Sequence, residues 1–265
     1  MRPAAVLLAA VLPLAARAEE PRPLRHDLRV DGAVTAAAFA GWIGSDLARS
    51  RLAPPECRIC SPGALDAAAR DALVWGHRDR ARRVSDVLVL ALPSVLVAHQ
   101  LLAARAAGDV REGFVDLVLV AEAVALAGDL NQVVKYAVGR ERPFVHFGSG
   151  HDRARRPDPD DNLSFYSSHT SVAFAAACGA AEVSRLRGYR SAPWVWGVGL
   201  SAAAAVGYLR IAGDEHYLTD VLAGAALGGA IGVAVPRLLH PRSARAAGAA
   251  QAAVVPVPFG IAVAF

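Results

Sequence analysis

The sequence predicts an all-α protein, a helical bundle with about five membrane-embedded helices. Five apolar segments, at about 86–104, 114–135, 168–184, 193–211 and 218–236, each approach the ~20 residues with which a helix crosses a bilayer. Hydrophobic residues make up 54% of the chain and charged ones 20%, with a mean hydropathy of +0.33, on the apolar side of an ordinary soluble domain. Alanine fills these segments. It is the best helix former in water as well as apolar, so a soluble helical bundle stands as the alternative.

In chain order, residues 1–18 read as a signal peptide. Arg2 supplies the positive start, Ala4 to Ala16 the apolar core and Ala16-Arg17-Ala18 the small-x-small cleavage pattern. The run is too short to span a hydrocarbon core of about 30 Å comfortably. Export implies an oxidising compartment, where Cys57 and Cys60 pair as a local disulfide rather than serving redox or metal chemistry. Cys178 lies in an Ala-rich helix and reads as a small buried hydrophobe.

Residues 19–83 form an N-terminal extension. It is Pro- and Arg-rich to residue 63, with an apolar patch from Ala33 to Ile43 that is too short for a span and suits an interfacial or packing helix. An amphipathic, charged helix follows over 64–83. Residues 84–240 make the helical bundle and 241–265 a C-terminal tail, strand-like in its alternation over 252–265. His99, Glu122 and Asp129 fall inside apolar segments and are expected to face the bundle interior, because charge in lipid is costly.

The short turns at 105–113 and 185–192 carry Arg105, Arg111, Arg185, Arg187 and Arg190, as cytoplasmic loops do. With an exported N-terminus, the second apolar segment then delivers Lys135 to the periplasmic side. A span at 33–43 would invert every later end.

The net charge of +4 and a pI near 9.3 come without a basic stripe interleaved with aromatics, so nucleic acid is not an expected partner. Composition also excludes a disordered chain, and three cysteines are too few for a disulfide scaffold.

Three clusters carry chemistry. Lys135 to Pro143 (KYAVGRERP) closes the second apolar helix with Lys135 and Arg142, and Pro143 stops the helix. Ser167, Ser168 and His169 open the third, where unpaired backbone N–H groups make an anion site; a plain N-cap is the alternative for the serines. Arg210, His216 and Asp220 run from the fourth helix into the fifth. His216 and Asp220 share a helical face, so that a carboxylate bonded to one imidazole nitrogen frees the other. An alternating bundle brings all three to one end. Cations, a helix N-terminus and two histidines there make an oxyanion pocket with a nucleophile and an acid, suited to phosphate.

These residues, as K-x6-R-P, S-x-H and R-x5-H-x3-D, resemble the tripartite signature of the type 2 phosphatidic acid phosphatase family, over roughly residues 85–236. That superfamily also includes bacterial acid phosphatases and vanadium-dependent haloperoxidases. The resemblance implies a phosphatase in which His216 becomes phosphorylated, Asp220 orients it and His169 protonates the leaving group. Lys135, Arg142, Ser167, Arg210 and the backbone N–H of Ser168 would hold phosphate oxygens, and no metal or other cofactor is required. Tyr166 and Ser168 depart from the family's usual Pro and Gly, and Leu209 stands where Ser is frequent.

The expected substrate is a phosphomonoester or pyrophosphate of a lipid, met at the membrane with the site facing the periplasm. Membrane lipids are the expected surroundings, and the oligomeric state is open. The alternatives are a vanadate-dependent haloperoxidase, a soluble broad-specificity periplasmic acid phosphatase and a catalytically degenerate binder of anionic lipid. The loop 144–165, with Arg153, Arg155, Arg156, Asp158, Asp160 and Asp161, is either a gate or a solvated connection.

Overall fold

The computed structural model describes residues 22–148 and 158–243. The signal peptide, the loop residues 149–157 with Arg153, Arg155 and Arg156, and the tail from 244 lie outside the described residues.

Helix α1 (Leu28–Leu47) starts at Asp27, whose carboxylate accepts the N–H groups of Arg29 and Val30. It extends the apolar patch by about a turn at each end and packs along α5 (Val110–Val138). The short α2 (Arg49–Leu52) and α3 (Ala64–Leu73) lead to α4 (Arg78–Ala106). After α5 come a single turn, α6 (Pro143–His146), a 3₁₀ turn (Pro159–Asn162) and α7 (Ser168–Arg187). Helices α8 (Ala192–Ala212) and α9 (Leu218–Ala234) complete the bundle, with a π turn at Val235–Leu239.

The centre of the bundle is α7, packed against α9, α8, α5 and α4. Its Ala173, Ala176, Ala177 and Ala180 meet Leu119 of α5, Val206 of α8 and Leu96 of α4 in one apolar core. Small residues let the backbones close in. A Cβ on Gly228 would lie 2.2 Å from the Ser171 carbonyl oxygen, and one on Gly232 2.6 Å from that of Ala175. This glycine face holds the second half of α9 against the first half of α7.

Two differences from the sequence reading have physical causes. The expected helix over 64–83 is two helices, because the chain turns at 74–77, where the Trp75 N–H donates to the Ala212 carbonyl at 3.0 Å. The break aims Arg70 and Arg78 at Asp214, at 2.7 and 2.9 Å.

Among the described residues, three helices rather than five are long and apolar enough to cross a membrane: α4, α8, and α9 with its π turn. Helix α5 carries Glu112, Asp116, Glu122, Asp129 and Lys135, while the alanines of α7 face neighbouring helices. On α4, by contrast, Val87 and Leu90 are 64% and 73% exposed, an apolar face without a protein partner among the described residues. His99 and Glu122 are buried as expected, and Asp129 is half-buried beside Gly41 of α1.

Candidate active site

Helix α5 ends because Gly139 adopts φ 58°, where its N–H reaches back 3.0 Å to the Lys135 carbonyl. Lys135 is thereby fixed in the last turn. Residues 140–142 turn away extended, and Pro143 opens α6. The loop joining α2 and α3, closed by a Cys57–Cys60 disulfide, lies on this corner: the Arg58 N–H donates to the Gly139 carbonyl at 2.8 Å, and Glu141 returns a bond to Ile59 at 3.0 Å.

One continuous line of contacts joins all three clusters. His169 Nε2 lies 2.9 Å from Asp86 Oδ1, which also accepts from Arg210 Nη1 at 3.1 Å. Arg210 Nη2 donates to Glu215 at 3.1 Å, Glu215 accepts from Arg142 Nη1 at 3.1 Å, and the same Nη1 lies 3.3 Å from His216 Nε2. Lys135 stands among Arg142, Asp160 and Arg210; burial, then the charge on Arg142, lowers its ammonium to about 7, so that an added anion favours its charged form. The Arg210 Nε is buried without a hydrogen-bond partner among the described residues. Both are donors available to a ligand oxygen.

The tautomer of His216 follows from its partners. Nδ1 lies 2.8 Å from the Ser164 carbonyl oxygen, which can only accept, so Nδ1 carries the proton. Nε2 then presents its lone pair toward Arg142, which can only donate. Burial, followed by the charges on Arg142, Lys135, Arg210 and His169, holds protonation of His216 well below the usual imidazole range. The imidazole is neutral, with its nucleophilic nitrogen facing the cations.

Asp220 takes a different place from the expected one. Its Oδ2 is 3.7 Å from His216 Nδ1, too far for a hydrogen bond. It accepts instead from the Ser164 hydroxyl at 2.6 Å, the Tyr217 N–H at 2.9 Å and Arg140 Nη1 at 2.6 Å. The carboxylate thus holds the segment whose carbonyl holds the histidine. Arg140 in turn binds Asp66 at 2.6 Å, and Asp66 accepts from the Thr219 hydroxyl at 2.7 Å.

The serines also differ. Ser167 is the N-cap of α7: its hydroxyl oxygen accepts from the Thr170 hydroxyl at 2.9 Å and, more weakly, from the Thr170 N–H at 3.4 Å. It is fully buried, so the capping alternative describes its side chain better than a phosphate contact. The Ser168 hydroxyl donates to Asn131, whose amide bonds the Tyr166 carbonyl at 2.8 Å. The N–H groups of Ser168 and His169, in the first turn of a helix, have no partner inside it.

Sequence reasoning missed the carboxylates that position the cations. Asp86 and Glu215 are in the line above, and Asp160 pairs with Arg142 Nη2 at 2.7 Å. Burial disfavours the Asp160 carboxylate, yet Arg142 and Lys135 hold its carboxyl below the ordinary range. In sequence Asp160 is one of several charges in the loop 144–165, with no local spacing to Arg142 that marks the pair. No local spacing ties Asp86 to His169, since the two are brought together by α4 packing against α7.

The arrangement offers guanidinium, ammonium and helix N–H donors to a tetrahedral anion and a neutral imidazole at His216. Burial, then the charges on Arg210, Lys135 and Arg142, lowers His169 to about 2, so it gains a proton to donate only when a bound anion offsets those cations. Comparisons with known proteins give a family-model match, a sequence relative and a structural match. The model of the PAP2 superfamily matches residues 116–244, the stretch holding every predicted catalytic and phosphate-binding residue. A lipid A 1-phosphatase of Porphyromonas gingivalis is 33% identical over 116 residues, which cover 44% of this chain and 22% of that protein. The crystal structure of a transmembrane PAP2-type phosphatidylglycerolphosphate phosphatase from Bacillus subtilis aligns with a TM-score of 0.48 at 20% identity, covering 74% of this chain and 94% of the other.

Proposed function

We propose that this chain, whose residues 116–244 belong to the PAP2 superfamily, is a phosphatase that hydrolyses a phosphate ester of a lipid through a phosphohistidine. The observation that carries the reading is His216, held neutral with Nδ1–H on Ser164 and Nε2 facing Arg142.

In the first half-reaction, His216 Nε2 attacks phosphorus in line, and the bond from phosphorus to the lipid oxygen breaks. His169 gives that oxygen its proton, so the alcohol leaves neutral. Lys135, Arg142, Arg210 and the first N–H groups of α7 take the charge on the three phosphoryl oxygens. In the second, water attacks phosphorus, now-neutral His169 takes the water's proton, and the P–N bond breaks to release inorganic phosphate. The scheme uses no metal.

Phosphate oxygens must compete with Asp160 and Glu215 for the two arginines. The carboxylates hold the guanidinium forks in place at the cost of weaker ground-state binding, which favours turnover over retention of product.

A lipid substrate is supported by three apolar helices around the same bundle and by the named activities of the matched proteins. The proposed setting is a membrane with the site on the periplasmic side, reached after removal of residues 1–18. The proposed organisation is the extension 19–83, the catalytic bundle 84–240 and the tail 241–265.

The test is release of inorganic phosphate from phosphatidic acid, phosphatidylglycerophosphate, prenyl pyrophosphate and lipid A by the purified protein, with acid-labile, base-stable labelling of the chain in a rapid quench. His216→Ala is expected to abolish both turnover and label while phosphate binding persists. Undiminished turnover in a folded His216→Ala protein would overturn the assignment.

A further inference from the structure

Away from the catalytic residues, Asp31 of α1, Glu122 of α5 and His240 after the π turn meet inside the protein. One ligand-capable atom from each lies within 4.8 Å of the other two. All three are buried, at 9%, 3% and 3% exposure. Glu122 is thirteen residues before Lys135 on α5, about 20 Å along the helix at 1.5 Å per residue, so the cluster is separate from the phosphate pocket.

His240 Nδ1 lies 3.1 Å from the Arg25 carbonyl oxygen, which can only accept. The carbonyl takes the proton on Nδ1, and Nε2 faces Glu122 Oε2 at 3.0 Å, a separation at which two acceptors need a second proton or a cation between them. A ring N–H anchored on a backbone carbonyl, with the opposite nitrogen turned to other ligands, is the usual second contact of a metal-binding histidine. The carboxylates add a second, independent sign. Asp31 Oδ2 accepts the Asp27 N–H at 2.8 Å, and the contact found at the Glu122 carboxylate among the described residues is the one with His240. No lysine or arginine pairs with either carboxylate there. Two buried carboxyl groups thus face one imidazole without a basic side chain beside them among the described residues.

We propose that Asp31, Glu122 and His240 form a binding site for a divalent first-row metal ion, with zinc the best match to one imidazole and two carboxylates. Bonds of about 2.0–2.2 Å need only small side-chain movements from the observed separations. The three ligands come from the first helix, the middle of α5 and the end of the last helix, so the ion ties both ends of the described chain to the bundle. It has no part in phosphate chemistry.

The experiment uses the full chain in detergent, purified without a metal-affinity step, stripped with chelator and then dialysed against zinc chloride. Wild type is expected to retain a single equivalent of zinc by mass spectrometry and to unfold at higher temperature with zinc than with chelator. Glu122→Gln and His240→Ala are each expected to lose both responses, while His26→Ala keeps them. Wild type that retains no zinc, or either variant binding it as wild type does, overturns the site. If neither variant folds, cobalt(II) added to stripped wild type decides: an absorption spectrum removed by zinc supports the site, and none overturns it.

Discussion

The Ser164 carbonyl accepts the Nδ1–H of His216 at 2.8 Å, inside the 3.7 Å at which Asp220 stands from the same nitrogen. The His216 ring is oriented by backbone, and the carboxylate acts one step removed by holding Ser164 and Arg140.

Asp220→Asn should therefore lower kcat by roughly 100-fold, within the range expected for misplacing an acid–base group. Ser164→Ala keeps the carbonyl and loses only the hydroxyl bond to Asp220, so its kcat should stay within about tenfold of wild type. Steady-state kinetics on both variants check this. Equal losses in the two would show that the hydroxyl, not the carbonyl, sets the histidine.

The pH profile follows from the low protonation of His216. Only the neutral imidazole attacks, and nearby cations disfavour its charged form. The acid limb of kcat/KM assigned to the enzyme should thus lie below the usual histidine range of about 6.5. Arg142→Gln removes a positive charge 3.3 Å away and should move that limb to higher pH. Arg142→Lys should lower the rate but leave the limb near its wild-type position. The substrate's own second ionisation, near pH 6, contributes a limb common to all three proteins.

Asp86 sits 2.9 Å from His169 Nε2, a carboxylate beside an imidazole that burial and the charges on Arg210, Lys135 and Arg142 otherwise lower to about 2. Asp86→Asn should slow hydrolysis of an alkyl phosphate, which needs its leaving oxygen protonated, by about 10- to 100-fold. With p-nitrophenyl phosphate, whose leaving group departs as an anion, the loss should be only a few-fold. The comparison of the two substrates is the measurement, and equal losses would reduce Asp86 to a partner of Arg210.

Gly228→Ala places a methyl where the Ser171 carbonyl oxygen already lies, 2.2 Å away. Thermal unfolding in detergent should show a loss of about 1–3 kcal/mol, the usual cost of overpacking. Turnover should fall with it, because the same contact sets α9, which starts beside His216, against the start of α7, which carries His169. Gly44→Ala, in open space on α1, is the control.

The sequence by itself determined the candidate site residues and at which helix ends they stand. Lys135 through Pro143, Ser167 through His169 and Arg210 through Asp220 are local patterns, and helix starts, helix stops and an i,i+4 spacing are decided by backbone geometry within a few residues. Only the tertiary structure decided who partners whom. Asp86, Asp160 and Glu215 hold the cations, Ser164 rather than Asp220 bonds His216, and Ser167 is occupied as a cap. Such choices turn on differences of about an ångström between segments far apart in sequence, set by the packing of α4, α7 and α9. The alanines of α7 carry the same lesson: apolarity and helix propensity are written in the residue, but whether that face meets protein or lipid depends on what packs against it.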